Sequence, residues 1–409
     1  MENEKRVLLV TQYFYPENFK SNDIAFELIK RGYKVDALVG IPNYPEGKYY
    51  KGYGIFKKRV ETINGVRVYR AFQTPRGGNA SRLGLSINYL TYAFCASIWA
   101  LFFSIFKKKY DIIIVHQNSP ITQAYPAIVI NKIKKTPIYM WVLDIWPDAM
   151  TSGGGIKNKR AISFMDKRVE GVYNSCSRIL ISSKRMSDSI LSKGDYKDKI
   201  IYFPNWAEKL FENPIYRDVQ ELPQGYKIMI AGNLGKSQNF EMITKAMLLL
   251  KETEVKWILI GDGSQKPWVE KFVNENDLNN SVYLLGKHPI ECIPSFYMKT
   301  DALMFSLKNT FPHLKMVVPS RLQTYMSSGK PILAMIDGGA AELIKEADCG
   351  LSVNAGDYEG FTKIVKDYVL KNKKEFAQKG NNGKKFFNEN FKLEVCINNL
   401  VSIIEDEKK

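Results

Sequence analysis

Two stretches in the second half of the chain combine glycine, a helix start and a fixed cation. In IMIAGNLGKSQNFEMITKAM an apolar run ends at Ala231, and Gly232, Asn233, Gly235 and Lys236 follow before a helix predicted to begin near Gln238 or Asn239. Small residues let backbone N–H groups approach an anion closely, and a helix N-terminus adds a positive field. In KMVVPSRLQTYMSSGKPILAMI, Pro319 and Ser320 make a second helix start, Arg321 stands beside its first N–H groups, and Gly329 ends the helix. Two such cradles in one domain point to a diphosphate. The plainer readings are a βα turn that uses glycine for geometry and a short connecting helix with an incidental arginine.

These turns are positioned by an alternation of strands and helices. RVLLVTQ, KVDALVG, GVRVYRAF, DIIIVHQ, PIYMWVLD and RILISS read as strands of one sheet, with amphipathic segments such as NDIAFELIKRG between them. After PNWAEKLFENP the rhythm restarts with YKIMIAGN, KWILIGDG, SVYLLG, DALMFSL, PILAMI and GLSV. The expected fold is therefore α/β, with two doubly wound parallel sheets. The expected division is residues 1–205, residues 206–385 and a terminal helical segment 386–409 that either finishes the second domain or crosses back to the first.

A net charge of +17 fits an anionic partner (nucleic acid, anionic lipid or a phosphorylated ligand) and equally a solvated lysine-rich surface. Lys48, Lys51, Lys57, Lys58 and Arg59 alternate with Tyr49, Tyr50, Tyr53 and Phe56, a mixture suited to a membrane interface. Five scattered cysteines without a C-x-x-C pair fit reduced thiols. The opening MENEKRVLLVTQYF reads as a first strand and not as a secretion signal, so the chain is expected in the cytoplasm. Three histidines and no D-x-D motif give no metal site. No recognition helix or zinc module supports nucleic-acid binding.

Residues 83–106 form an uncharged run long enough to span a bilayer. Strands predicted before and after it belong to one sheet, which cannot straddle a membrane. The run is expected to be one or two apolar helices, buried against the sheet or partly embedded in one leaflet.

The segments G-N-L-G-x-x-Q (Gly232 to Gln238), P-S-R-L-Q-T-Y-M-x-x-G-K-P-I-L (Pro319 to Leu333), QYFYPENF (from Gln12), GIPNYPEG (from Gly40) and VLDIWPD (from Val142) together resemble family 4 glycosyltransferases of the GT-B fold. The resemblance covers nearly the whole chain and is nearest to the bacterial subgroup of L-fucosamine transferases. It implies two Rossmann-like domains facing across a cleft, the second holding a nucleotide sugar and the first an acceptor. It further implies metal-independent transfer with retention of configuration and no cofactor, the donor, expected to be UDP-linked, being a substrate.

On that basis Gly232, Asn233, Gly235, Lys236, Gln238, Ser320, Arg321, Gln323 and Thr324 are donor-binding candidates. Asn18, Asn43, Tyr44 and Asp148 are acceptor-binding candidates, as is the helix start Ser21 to Asp23. Asp144, at a strand's carboxyl end, is the candidate for a catalytic hydrogen bond to an acceptor hydroxyl. His116 is the second catalytic candidate, equally readable as a structural histidine, and Asp148 as a helix cap. Trp141, Trp146, Phe203 and Trp206 read as core more readily than as ligand platforms.

The chain departs from the family in two places. Thr324 stands where a ribose-binding glutamate is common, with Met316 eight residues before it, and Asn233 and approximately Gln238 replace a phosphate-gripping Arg and Lys. Neutral contacts, with Lys236 and Arg321 supplying charge, would then hold the donor. The resulting expectation is transfer of an N-acetyl-fucosamine-type sugar from a UDP donor to a polyprenyl-diphosphate-linked saccharide in capsule or O-antigen synthesis, by a protein peripheral on the inner face of the cell membrane. A sugar-nucleotide 2-epimerase of the same fold and a non-catalytic nucleotide-sugar-binding module are the alternatives.

Overall fold

A computed structural model describes residues 5–77, 82–152, 158–310 and 312–406. The chain forms two compact units, residues 1–203 with 397–409, and residues 204–396. In the first, strands β1 (Arg6–Val10), β2 (Lys34–Gly40), β3 (Val60–Ile63), β4 (Val66–Ala71), β5 (Ile112–Gln117), β6 (Ile138–Val142), β7 (Arg178–Ile181) and β8 (Ile200–Tyr202) make one sheet in the order β3-β4-β2-β1-β5-β6-β7-β8. All neighbours are parallel except β3, which forms an antiparallel hairpin with β4. β3 has two polar residues among its four and β8 is only three residues long, so neither stands out in the sequence.

The second unit contains β9 (Tyr226–Ala231), β10 (Val255–Ile260), β11 (Val282–Gly286), β12 (Ala302–Ser306), β13 (Ile332–Met335) and β14 (Gly350–Val353), all parallel in the order β11-β10-β9-β12-β13-β14. Separate apolar clusters cover this sheet, one around Tyr325, Phe296 and Phe391 and another around Trp257, Phe240 and Phe376. Burial on both faces explains the near-continuous Ile/Leu/Met runs of these strands. The last helix, Leu393–Glu405, returns to the first unit. Its Asn398 accepts from Arg31, and its Glu405 accepts from Tyr33 and pairs with Lys5.

Within the first unit, helix α1 (Lys20–Lys30) follows β1, and the uncharged run is a single helix, α2 (Arg82–Phe106). Its length and composition would let it cross a membrane, yet β4 before it and β5 after it lie in one sheet. Ala93, Ala96, Ala100 and Phe103 are buried, and the Tyr92 hydroxyl donates to the Leu38 carbonyl. Small side chains on this face bring the helix close to its neighbours. Apart from Tyr92 and Phe103, most of the large apolar side chains point the other way. Leu83, Ile87, Leu90, Phe94, Ile98, Leu101 and Ile105 recur at helical spacing along an exposed stripe, Phe94 being 69% exposed. This is the reverse of a soluble helix, which buries its large apolar residues.

Lys107 does not contribute to a free basic flank. Its ammonium pairs with Asp36 at 2.5 Å and lies 3.9 Å from the Tyr69 ring centroid, leaving Lys108 and Lys109 exposed.

The two faces of α2 should respond oppositely to substitution. Ala96→Leu overfills a packed contact and is expected to cost about 1–3 kcal/mol in urea denaturation. Phe94→Gln is expected to stay within about 0.5 kcal/mol of the parent. Equal losses would mean that both faces are packed.

Candidate functional site

In the second unit the carboxyl ends of β9, β10 and β11 meet backbone to backbone. Gly232 N–H donates to Ile260 O, Gly261 N–H to Gly286 O and Leu234 N–H to Asp262 O, each at 2.8 Å. Gly261 has φ +138°, and a Cβ there would sit 1.8 Å from the Gly232 carbonyl oxygen, so no other residue fits. Gly232 has φ +118°, and the space its missing Cβ leaves is taken by the Arg321 guanidinium, with Nη2 2.8 Å from the position a Cβ would occupy.

These ends open onto a cavity of about 560 Å³. Gly232, Asn233, Ser320, Arg321 and Thr324 line one side of it. Asp262, Lys287 and His288, from the turns after β10 and β11, line another, with Tyr297, Phe211 and Glu208 completing the wall. Arg321 opens the helix Arg321–Ser328, whose N-cap Ser320 makes no side-chain capping bond, while Leu322 N–H donates to Pro319 O at 2.9 Å. Tyr325 braces this arrangement from beneath. Its hydroxyl donates to Met304 O and accepts from Ala231 N–H, and Arg321 acts on it as a hydrogen-bond partner.

Four of the nine donor-binding candidates sit elsewhere. Gln238 is buried, and its amide donates to the Asn233 carbonyl, fixing the turn from inside. Gln323 is 1% exposed, and its amide nitrogen faces Pro319 O and Ser320 O, so it closes the helix start. Lys236 is exposed and outside the cavity lining, as is Gly235, which is buried. Lys287, His288 and Asp262 were missed, although the strand-end rule that singled out β9 applies equally to β10 and β11.

In the first unit the residues after β1, β2, β4 and β6 form a second cluster. Glu17 is almost fully buried. Its Oε1 accepts from Asn43 N–H at 2.8 Å and Tyr44 N–H at 2.7 Å, and its Oε2 from Phe14 N–H at 3.3 Å. Burial pushes its carboxyl up to about 7 against the pull of those three N–H groups. The residue was overlooked in QYFYPENF because a glutamate beside proline reads as a turn. Asn43 is equally buried, its amide donating to Ile41 O and its Oδ1 accepting from Arg76 N–H, so it supports Tyr44 without reaching a ligand. Asn18 and Tyr44 are exposed.

Asp144 accepts from the Ser119 hydroxyl and the Ile145 N–H, and burial nevertheless raises its carboxyl to about 6. Ser119 in turn accepts from Trp146 Nε1 at 3.0 Å. His116 is fully enclosed, 5.2 Å from the Trp141 ring, and burial drives its pKa down to about 3. It stays neutral at physiological pH, which suits a packed ring and not a proton donor. Asp148 opens the short helix Asp148–Ser152. Trp141, Phe203, Trp206 and Trp146 are buried core.

Residues 213–386 match the family described as "Glycosyl transferases group 1". The protein named probable glycosyltransferase WbjE, from Pseudomonas aeruginosa, is 23% identical over 239 residues, 56% of this chain and 59% of that protein. WcaI of Escherichia coli (strain K12), assigned by name to colanic acid biosynthesis, is 25% identical over 167 residues, 39% of this chain and 40% of that protein. The matched segments thus span less than two thirds of either relative. Among solved structures, Anabaena Alr3699/HepE in complex with UDP aligns with a TM-score of 0.69 at 14% identity, covering 98% of this chain and 100% of that one. Sucrose-phosphate synthase from Thermosynechococcus elongatus aligns with a TM-score of 0.71 at 12% identity, covering 98% and 99%. The likeness is one of fold, and the fold is GT-B.

The raised Asp144 pKa has a measurable sign. Between the ordinary value of 3.8 and about 6 the folded protein keeps a proton that the unfolded chain has released, so stability falls as pH rises through that window. Asp144→Asn keeps an acceptor oxygen and is expected to lose less stability than the parent between about pH 4 and 6 by urea denaturation. Identical slopes would contradict the burial of this carboxylate.

Proposed function

We propose, from the match of residues 213–386 to group 1 glycosyl transferases, that this chain transfers a sugar from a UDP-linked donor bound in its second unit. The observation that carries the reading is Arg321 lying over the side-chain-free Gly232 at the mouth of a cavity built from strand ends. A guanidinium at a helix N-terminus and a glycine turn suit a diphosphate, and the Lys287–His288 turn can wall in a base. HepE's solved complex with UDP supports the nucleotide choice.

The donor sugar is an N-acetyl-fucosamine-type amino sugar, and the acceptor is a polyprenyl-diphosphate-linked saccharide of capsule or O-antigen synthesis. The sequence motifs support this, as does the name of WcaI. Transfer proceeds with retention. The bond between the anomeric carbon and the diphosphate oxygen breaks, the acceptor hydroxyl oxygen forms the new bond on the same face, and its proton passes to the departing diphosphate. Arg321 and the backbone N–H groups stabilise the growing negative charge. Asp144 holds the acceptor hydroxyl, so positioning carries most of the rate.

The reaction takes place at the cytoplasmic face of the membrane. The outward stripe of α2 is a large contiguous apolar surface, and its occupant is an anionic bilayer. Ile55 and Phe56, the latter 95% exposed, project beside Lys57 and Lys58 from a loop whose Arg59 lies near Cys95 of α2. Each cation near such a surface contributes about 1 kcal/mol.

Incubation with UDP-, GDP- and dTDP-sugars and lipid-linked saccharides, scored by mass of the lipid product, tests the transferase. UDP release only when a lipid-linked acceptor is added supports it; epimerised donor without extension, or no product from any pair, overturns it. Arg321→Ala is expected to weaken UDP binding about tenfold or more, and Lys236→Ala to leave it within about twofold. The triple change Leu90→Gln, Phe94→Gln and Leu101→Gln is expected to keep the fold and abolish pelleting with anionic vesicles. Undiminished pelleting would remove α2 from the membrane contact.

A further inference from the structure

Arg76 lies outside every motif discussed so far. Its guanidinium carbon sits 5.2 Å from the Tyr44 ring centroid and 5.7 Å from that of Tyr13. Those rings form one platform with Phe19, which stacks on Tyr13 at 4.8 Å and meets Tyr44 at 5.4 Å. Arg76 is half-buried and makes no ion pair with a described residue. A cation held on aromatic faces, with no ion pair among the described residues, is a ready site for an external anion.

The surroundings are built to hold it. Its N–H donates to Asn43 Oδ1 at 3.2 Å, and Gly77 N–H to Gly47 O at 3.0 Å. On the other side Thr74 N–H donates to Thr91 of α2, and Asn88 of α2 donates to Thr74 O. The segment is thus pinned between the turn after β2 and α2. The Tyr13 hydroxyl is buried and faces the hydroxyl of Tyr89, itself on α2, as its side-chain hydrogen-bond neighbour. Burial keeps both phenols protonated, so with one O–H turned to its neighbour the pair still has an O–H to donate. Tyr89 also feels the charges of Arg76 and Asp144.

We propose that Arg76, with Tyr13, Tyr44 and Tyr89, grips the diphosphate of a polyprenyl-linked acceptor. The inference rests on the acceptor role given to the first unit above. Three features favour this anion. A guanidinium can bind two phosphate oxygens at once. The phenol O–H groups add donors. The segment carrying Arg76 is tied to Asn88 and Thr91 of α2, between which Leu90 belongs to the apolar stripe, so a polyprenyl chain lying against that stripe brings its head group toward Arg76.

The test uses the full chain saturated with UDP, so that the second unit's anion site is filled. Binding of farnesyl diphosphate is compared with that of farnesyl monophosphate, inorganic pyrophosphate and glucuronic acid. Farnesyl diphosphate is expected to bind most tightly, and Arg76→Ala to weaken it about tenfold or more, with Arg76→Lys and Tyr89→Phe in between. UDP affinity and thermal midpoint should stay at parental values in all three. Unchanged farnesyl diphosphate binding in Arg76→Ala overturns the subsite. Equal binding of inorganic pyrophosphate overturns the lipid assignment, and equal binding of glucuronic acid overturns the diphosphate. Failure of the parent to bind UDP strikes the transferase reading instead, so the two failures are distinguishable.

Discussion

The space above Gly232 is the constraint on which the donor site depends. The turns after β9 and β10 meet at two glycines, and Gly261 approaches the Gly232 carbonyl at a distance that excludes any Cβ. The missing Cβ of Gly232 clears the position the Arg321 guanidinium occupies, and Tyr325 beneath it ties the arginine to β9 and β12. One cation at a helix N-terminus, beside the carboxyl ends of the strands, is thereby fixed before any ligand arrives. Preorganisation of this kind stabilises charge that develops during reaction more than charge already present.

The first unit meets a different demand, which is to hold polar groups together in a dry interior. Gln12 Nε2 donates to Gln73 and to Asn88 at 2.7 Å, and Gln12 N–H donates to Gln123, so the end of β1 is laced to the segment after β4 and to α2. Glu17 does the same for the turns after β1 and β2. Such networks are stable only when nearly satisfied, and they make the loops that carry Tyr44 and Arg76 firm. α2 serves both purposes, anchoring these loops with its small and polar face while its large apolar side chains look outward.

The sequence yielded the architecture because each strand buried on two faces reads as a continuous apolar run and each is bounded by turn residues. It yielded Arg321, Thr324, Gly232 and Asn233 because strand-turn-helix junctions have a composition that backbone geometry dictates. Amides misled it. Gln238 and Gln323 can donate to a ligand or to their own turn, and only three dimensions show that both face inward. Glu17 and Arg76 were invisible for the converse reason, since a carboxylate beside proline and an arginine beside two glycines look like ordinary loop residues. The apolar run of α2 was legible as a helix, but which of its faces is buried depends on the tight seat of Ala96 and Ala100, which no periodicity of large residues announces.

Hydrogen–deuterium exchange with and without UDP most directly tests whether the strand-end cavity of the second unit is the donor site. UDP should protect the backbone from Ala231 to Asn233, around Lys287 and His288, and from Ser320 to Thr324, and leave α2 unchanged. Protection confined to other segments, or none at saturating UDP, would contradict the account.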